Sequence, residues 1–322
     1  MKYLPLALCL FLACPAHALD GNTSLSGDDI VRDFLWTEFQ DLSPEKRPKV
    51  GLALSGGGAR GFAHVGFLAV LSDAGFPIDG IAGTSMGAVV GSLYSAGYPM
   101  EQLWELGRRA TFSYATKDFS KIGILKLILH DSLMSSDEME NFITERIGDI
   151  TFEQLKIPFT CVAMDIRTGE TIVFHEGPVA IAVRSSMNLP GIFKPVEYRH
   201  RYLVDGGVTD NLPVDAAKAL GMEWVLASNT PSDIGDTGLN NILTYLLQVM
   251  EIRGELLSEQ SIREADVVIT QKVSHIKTIE FQKAFTAGEL GLEETYRQLP
   301  RAKEGLLLRS FPFLMEKYAL AR

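Results

Sequence analysis

Cysteine is scarce: three in 322 residues, and two of them, Cys9 and Cys14, lie close to the start. Removal of an N-terminal export signal would leave Cys161 alone, which excludes an intramolecular disulfide and places stability on the hydrophobic core. Cys161 sits in the apolar run Ile157 to Met164 and reads as a buried, inert thiol. Positive charge is also in deficit, with 30 Lys and Arg against 40 Asp and Glu for a net of −10. Such a chain gains nothing from nucleic-acid phosphates or anionic lipid headgroups, so any lipid contact must come from apolar surface. Beyond the first residues no apolar run is long enough for a membrane-spanning helix, and the mature chain is expected to be soluble. Internal repeats and low-complexity segments are missing too.

The first eighteen residues differ from the rest. Met1-Lys2 gives a short positive start, Leu4 to Ala13 is apolar but too short to span a bilayer, and Ala16-His17-Ala18 offers small residues at a cleavage site. A cleaved signal peptide over 1–18 is expected, with a periplasmic or secreted product. Leu12-Ala13-Cys14 is a partial lipobox and keeps a lipoprotein anchored at Cys14 as the minor alternative. Residues 19–48 read as a polar leader with one helix around Asp29 to Phe39. A single domain is expected over 49–322.

Within that domain strands and helices alternate. Strand Val50 to Leu54, a glycine run, helix Arg60 to Ala74, strand Ile78 to Ala82 and helix Met86 to Ser95 predict a parallel sheet with helical crossovers. Ser135 with Glu138 and Thr151 with Gln154 form capping-box patterns that open helices. Phe159 to Asp165 and Thr171 to Phe174 read as a hairpin. Strands follow at Tyr202 to Val204, Trp224 to Ser228 and Asp266 to Thr270, with helices from Pro178 and Pro213 and a long one over Leu239 to Glu264. Ile122 to Leu129 is either an ordinary buried helix or a lipid-facing lid.

Three segments carry candidate chemistry. Gly83-Thr84-Ser85-Met86-Gly87 places a serine between strand and helix, the context of a nucleophile elbow. Gly83 and Gly87 relieve the crowding of the tight turn, and the helix start favours developing negative charge at Ser85. Ser55-Gly56-Gly57-Gly58-Ala59-Arg60-Gly61 exposes backbone amides fit for an anion, either a phosphate or the oxyanion of a tetrahedral intermediate. The spacing of Gly56, Gly58 and Gly61, with Asp79 further on, also fits a dinucleotide fingerprint, although Asp79 lies near the start of its strand rather than the end. Asp205-Gly206-Gly207 ends a short apolar strand.

A serine hydroxyl is scarcely ionised at neutral pH and needs a base. His64, His130, His175, His200 and His275 all lack the late, glycine-flanked position of a triad histidine. Asp205 therefore becomes the candidate base.

At these segments the sequence resembles the patatin-like phospholipase family. The likeness runs over about 50–221. It is carried by Gly56 to Gly61, by Gly83 to Gly87, by Ser185-Ser186-Met187-Asn188-Leu189-Pro190-Gly191-Ile192-Phe193-Lys194-Pro195, and by Leu203 to Pro213 with its Asp-Gly-Gly and Asn-x-Pro. The resemblance implies an α/β fold of three layers, α/β/α, with a mainly parallel central sheet. It implies a Ser85–Asp205 dyad without histidine. Gly56, Gly57 and Gly58 would supply oxyanion donors, while Arg60 adds positive charge or anchors the loop. No metal or other cofactor is implied. The implied activity is hydrolysis of carboxylic ester bonds in phospholipids or other acyl lipids, with transient contact at a membrane or micelle surface. Transacylation, and a catalytically silent lipid- or partner-binding protein of the same fold, are the alternatives.

Overall fold

A computed structural model describes residues 27–116, 136–235 and 242–319. The expected signal peptide over 1–18, with Cys14, and also Ser135 and the Ile122–Leu129 segment lie outside the described residues. The strands are β1 Val50–Leu54, β2 Gly80–Thr84, β3 Phe159–Asp165, β4 Thr171–Phe174, β5 Val196–Tyr198, β6 Arg201–Asp205, β7 Trp224–Asn229 and β8 Val267–Thr270. The helices are α1 Gly27–Gln40, α2 Ala63–Asp73, α3 Met86–Ser95, α4 Met100–Thr116, α5 Asp137–Ile147, α6 Val179–Ser186, α7 Val214–Ala219, α8 Ile242–Glu264 and α9 Ala284–Ala319.

Strands β3, β2, β1, β7 and β8 pair in that order, all parallel. The expectation of a mainly parallel sheet holds for this part. Around β3 the sheet turns antiparallel, through β4, β6 and the β5–β6 hairpin. Strand β5 has no counterpart in the sequence reading. It is three residues long and carries Glu197 at its centre, too little for a period-two pattern.

Side chains of the central strands alternate between two cores, as period two requires. Val50, Leu52, Leu54, Trp224 and Leu226 enter the larger core, shared with α2, α3, α6 and α9. Ala53, Ala82, Val225 and Ala227 face the smaller one, with Val214, Ala216 and Ala217 of α7. Helices thus cover both faces of the sheet, giving the α/β layering. Small residues on the α7 side let Met222 close in: a Cβ at Gly51 would lie 2.5 Å from its Cγ.

Two segments differ from their sequence reading. Helix α1 is part of the core rather than a peripheral leader, because Trp36 and Phe39 are buried and Trp36 lies 5.2 Å from the Phe76 ring. Helix α5 starts one residue past the expected cap. Ser136 is its N-cap, and the Ser136 hydroxyl donates to Asn188 Oδ1 instead of capping. The Thr151–Gln154 capping box forms as expected.

One detail of the sheet positions the site. Strand β2 pairs with the first part of β3, ending at Thr84 opposite Val162. Strand β6 pairs with the last part, ending at Asp205 opposite Ala163. Strand β4 pairs with Cys161 to Met164 of β3 and overlaps both of those stretches, so it must occupy the opposite edge of β3. Consequently β2 and β6 share a single edge of β3 and run toward each other.

Candidate active site

The nucleophile elbow forms at the end of β2. Ser85 has φ +53°, an uncommon conformation for a residue with a side chain. Its neighbours must be glycine. A Cβ at Gly83 would sit 2.5 Å from the Gly87 carbonyl oxygen, and one at Gly87 would sit 2.3 Å from that of Leu54. The strained turn is held by the Ser85 N–H, which donates to Ser186 Oγ at 2.9 Å.

Ser85 Oγ donates to Asp205 Oδ2 at 2.7 Å, with Ser85 8% and Asp205 2% exposed. The other oxygen, Oδ1, accepts the Gly207 N–H at 2.8 Å. Burial pushes the Asp205 carboxyl from its ordinary 3.8 up to about 6, against the opposing pull of the Gly207 and Ser85 hydrogen bonds. Asp205 is fixed from behind by Asn188, whose carbonyl accepts the Asp205 N–H at 2.9 Å. The Asn188 amide donates to Lys194 O and Leu203 O, so the Ser185–Pro195 segment braces both members of the pair.

The glycine loop faces the pair, but its amides are not equivalent. The Gly56 N–H donates to Asn211 O at 3.0 Å, which corrects its expected role as an oxyanion donor. Gly56 serves close approach instead, since a Cβ there would lie 2.7 Å from Asn211 Oδ1 and 3.3 Å from Ser85 Cβ. Among the described residues, the Gly57 and Gly58 N–H groups have no partner within the chain. Arg60 is buried, donates to Ile276 O at 2.9 Å and reaches Glu251 at 3.4 Å. Of its two expected parts, anchoring is the one this geometry matches.

Asn211 ties three pieces together. Its carbonyl holds Gly56, its side-chain amide donates to Ser258 Oγ of α8 at 2.9 Å, and Gly254 of α8 packs against it. Helix α8 thereby roofs the site. The cleft beneath it holds about 90 Å³ and is lined by Ser85, Met187, Leu189, Leu247, Met250 and Phe281 among others.

The remaining candidates fall elsewhere. His64 is fully buried in α2, with Nε2 against Ser55 O at 2.9 Å and Nδ1 against Ser228 Oγ at 3.0 Å. Burial lowers its pKa to about 4, so the ring is neutral at pH 7 and joins the fold's hydrogen bonding, not Ser85. Asp79 pairs with Arg47 and accepts the Val50 N–H at 2.7 Å, at the end of the sheet away from the glycine loop. That placement removes the acid a dinucleotide ribose would need. Cys161 is buried, and burial raises its thiol pKa. Among the described residues no cluster of His, Cys, Asp and Glu is arranged to hold a metal, and no helix is long and apolar enough to cross a membrane.

A serine hydroxyl on a buried carboxylate, at a strand–helix elbow beside unpaired glycine amides, has the arrangement that serine-nucleophile chemistry requires. Residues 52–218 match the family described as patatin-like phospholipase, and the chain belongs to that family. An uncharacterized NTE family protein of Mycobacterium tuberculosis is 36% identical over 184 residues, covering 56% of this chain and 48% of that one. A lysophospholipase NTE1 of Meyerozyma guilliermondii is 35% identical over 225 residues, covering 67% of this chain and 15% of that one. The chain thus spans about half the length of the first relative and a small part of the second. Among solved structures, VipD from Legionella pneumophila aligns with a TM-score of 0.46 at 13% identity, covering 79% of this chain and 67% of that one. Human GIVD cytosolic phospholipase A2 aligns with 0.46 at 12%, covering 88% and 64%.

Proposed function

We propose that this protein is a serine lipid acyl hydrolase that cleaves carboxylic ester bonds of phospholipids or related acyl lipids. The observation that carries the reading is the 2.7 Å contact from Ser85 Oγ to Asp205 Oδ2 beside the unpaired amides of Gly57 and Gly58. Family membership supports the same substrate class.

In this mechanism Ser85 Oγ attacks the ester carbonyl carbon while its proton passes to Asp205 Oδ2. The carbonyl oxygen becomes an oxyanion that accepts hydrogen bonds from Gly57 and Gly58. Removing one such donor typically costs about 3–4 kcal/mol. Collapse of the intermediate breaks the bond to the alkoxy oxygen, which takes the proton from Asp205 and departs as the alcohol. Water then gives a proton to Asp205 and attacks the acyl-serine carbonyl; as that intermediate collapses, the bond to Ser85 Oγ breaks, Asp205 returns its proton to Ser85 Oγ, and the acid departs. A carboxyl near 6 is mostly ionised at pH 7 yet far more basic than a solvent-exposed aspartate, which suits a general base.

Contact with a lipid surface belongs to the same proposal. Tyr245, Leu246, Val249, Ile252 and Leu256 are exposed on α8, the helix whose other side roofs the cleft. Export rests on residues 1–18 alone. Mass analysis of the exported chain should give a start at Leu19, and a lipid-modified Cys14 would select the anchored alternative.

The deciding experiment is product analysis of lysophospholipid and diacylphospholipid mixtures with purified wild type beside Ser85→Ala. Fatty acid released by wild type and not by the variant supports the hydrolase. Acyl transfer to an added alcohol would identify a transacylase. No release from any acyl lipid, with Ser85 unmodified by a fluorophosphonate, would refute the reading.

A further inference from the structure

We infer that Thr230, at the C-terminal end of β7, is a positioning residue that locks the Gly56–Gly57 peptide so that the Gly57 N–H faces the reacting carbonyl. The inference rests on the hydrolase reading and adds a residue outside the matched family region, which ends at residue 218.

The argument starts from the bonds around one carbonyl. Gly56 O accepts from the Thr230 hydroxyl at 2.6 Å and from the Ser55 hydroxyl at 3.1 Å. Thr230 is itself held, because its N–H donates to Ser55 Oγ at 2.9 Å and the two hydroxyls lie 3.0 Å apart. Ser55 is anchored through its N–H to Ser228 O at 3.2 Å. Thr230 and Ser55 are both buried, so water does not compete for these bonds. In a trans peptide the C=O and the following N–H point in opposite directions. Pinning Gly56 O toward Thr230 therefore turns the Gly57 N–H away from Thr230 and leaves it without a partner within the described chain.

The lock matters because the peptide it holds joins two glycines. Gly57 sits at φ +148°, and neither residue has a side chain to oppose rotation of the peptide plane. A flipped plane would aim the Gly56 carbonyl oxygen where the oxyanion forms and convert attraction into repulsion. Room for the lock comes from the glycine itself: a Cβ at Gly57 would lie 2.5 Å from Thr230 Oγ1. Gly57 is thus required on the Thr230 side.

Thr230→Val keeps the shape and removes the donor, while Thr230→Ser keeps the donor and removes a methyl. Hydrolysis of p-nitrophenyl butyrate is measured for wild type and both variants, with thermal melting to establish folding. Thr230→Val is expected to lower kcat about ten- to a hundredfold with KM changed less than about threefold, and Thr230→Ser to restore most of it. The acidic limb of the pH profile, set by Asp205, should stay in place. Ser55→Ala gives a second reading should Thr230→Val not fold, with a smaller loss of the same kcat-only kind. A folded Thr230→Val with wild-type kcat, a loss carried by KM, or Thr230→Ser as impaired as Thr230→Val would overturn the inference while leaving the hydrolase reading intact. An inactive wild type with unlabelled Ser85 would instead overturn both.

Discussion

Ser85 and Asp205 meet end to end along one edge of β3. Strand β2 delivers the serine from one direction, its last residue Thr84 lying opposite Val162, and β6 delivers the aspartate from the other, with Asp205 opposite Ala163. The pair needs no flexible reach, because Asp205 is the last residue of β6 and Ser85 directly follows the last residue of β2, and both strands are fixed by the same ladder. That places the reactive oxygens 2.7 Å apart before any substrate arrives.

A buried carboxylate at this junction carries a stability cost that Asp205→Asn should remove. The folded carboxyl is raised from 3.8 to about 6, so the group favours folding below pH 3.8 and loses that contribution as pH rises through 6. The shift corresponds to roughly 3 kcal/mol at most. An Asn side chain can still accept from Gly207 and meet Ser85. Asp205→Asn should therefore be inactive yet melt several degrees above wild type at pH 8, with the gap closing toward pH 4. Equal melting temperatures at pH 8 would remove burial as the cause of the raised pKa.

The acidic limb of kcat/KM should fall near pH 6 and belong to Asp205. Asp210 is a built-in control, since it is also raised to about 6, by burial and then by Asp215 and Glu264. Those are the charges that bear on it, and Ser85 is not among its partners. Asp210→Asn should leave the limb unmoved and alter only the pH dependence of melting. A limb displaced by Asp210→Asn and a stability profile left untouched would reverse the assignment.

Gly206→Ala tests the strand junction itself. The added Cβ would meet Val162 O at 2.2 Å and Val162 C at 2.6 Å, both backbone atoms of β3. Since neither can rotate away, β6 must part from β3. A destabilisation of about 1–3 kcal/mol or more is expected by denaturant titration, with loss of fluorophosphonate labelling at Ser85. A variant with wild-type stability and labelling would show that β6 does not depend on this contact.

The histidine question has a direct answer in rates. His64 is neutral and bonded to Ser55 O and Ser228 Oγ, so His64→Gln should lower stability while leaving kcat within about tenfold. Loss of a true base would cost at least about a thousandfold. A drop of that size in a well-folded variant would refute the two-residue arrangement.

The sequence made legible what local backbone geometry dictates. Gly83, Ser85 and Gly87 are forced by the elbow, and Asp205-Gly206-Gly207 by the strand end, so residue type and order betray them. What stayed hidden depends on distant partners. Gly56, Gly57 and Gly58 look alike in sequence, yet Asn211 takes the amide of the first and leaves the other two. Ser186 and Asn188 lay inside a segment whose resemblance was visible, while their bonds to Ser85 and Asp205 required the fold. Helix α1 lies in a stretch that reads as a polar leader, and only the fold shows that Trp36 and Phe39 are buried while Ile30, Val31 and Phe34 stay exposed.

The roof over the cleft predicts how the proposed hydrolase should sort chain lengths. About 90 Å³ lies beneath α8, well below the roughly 300 Å³ at the small end of ligand pockets. A short acyl group fits that space, whereas a long one must run on past Met187, Leu189 and Phe281 along α8. Met250 lines the cleft from α8, so Met250→Trp adds bulk where the chain must pass. It should cut kcat/KM for p-nitrophenyl palmitate at least about tenfold more than for the acetate, since the acetate stays near Ser85 and needs little of the space beneath the helix. Assays of both esters at matched micelle concentration check the ratio. Equal losses on the two substrates would place the acyl path somewhere other than under α8.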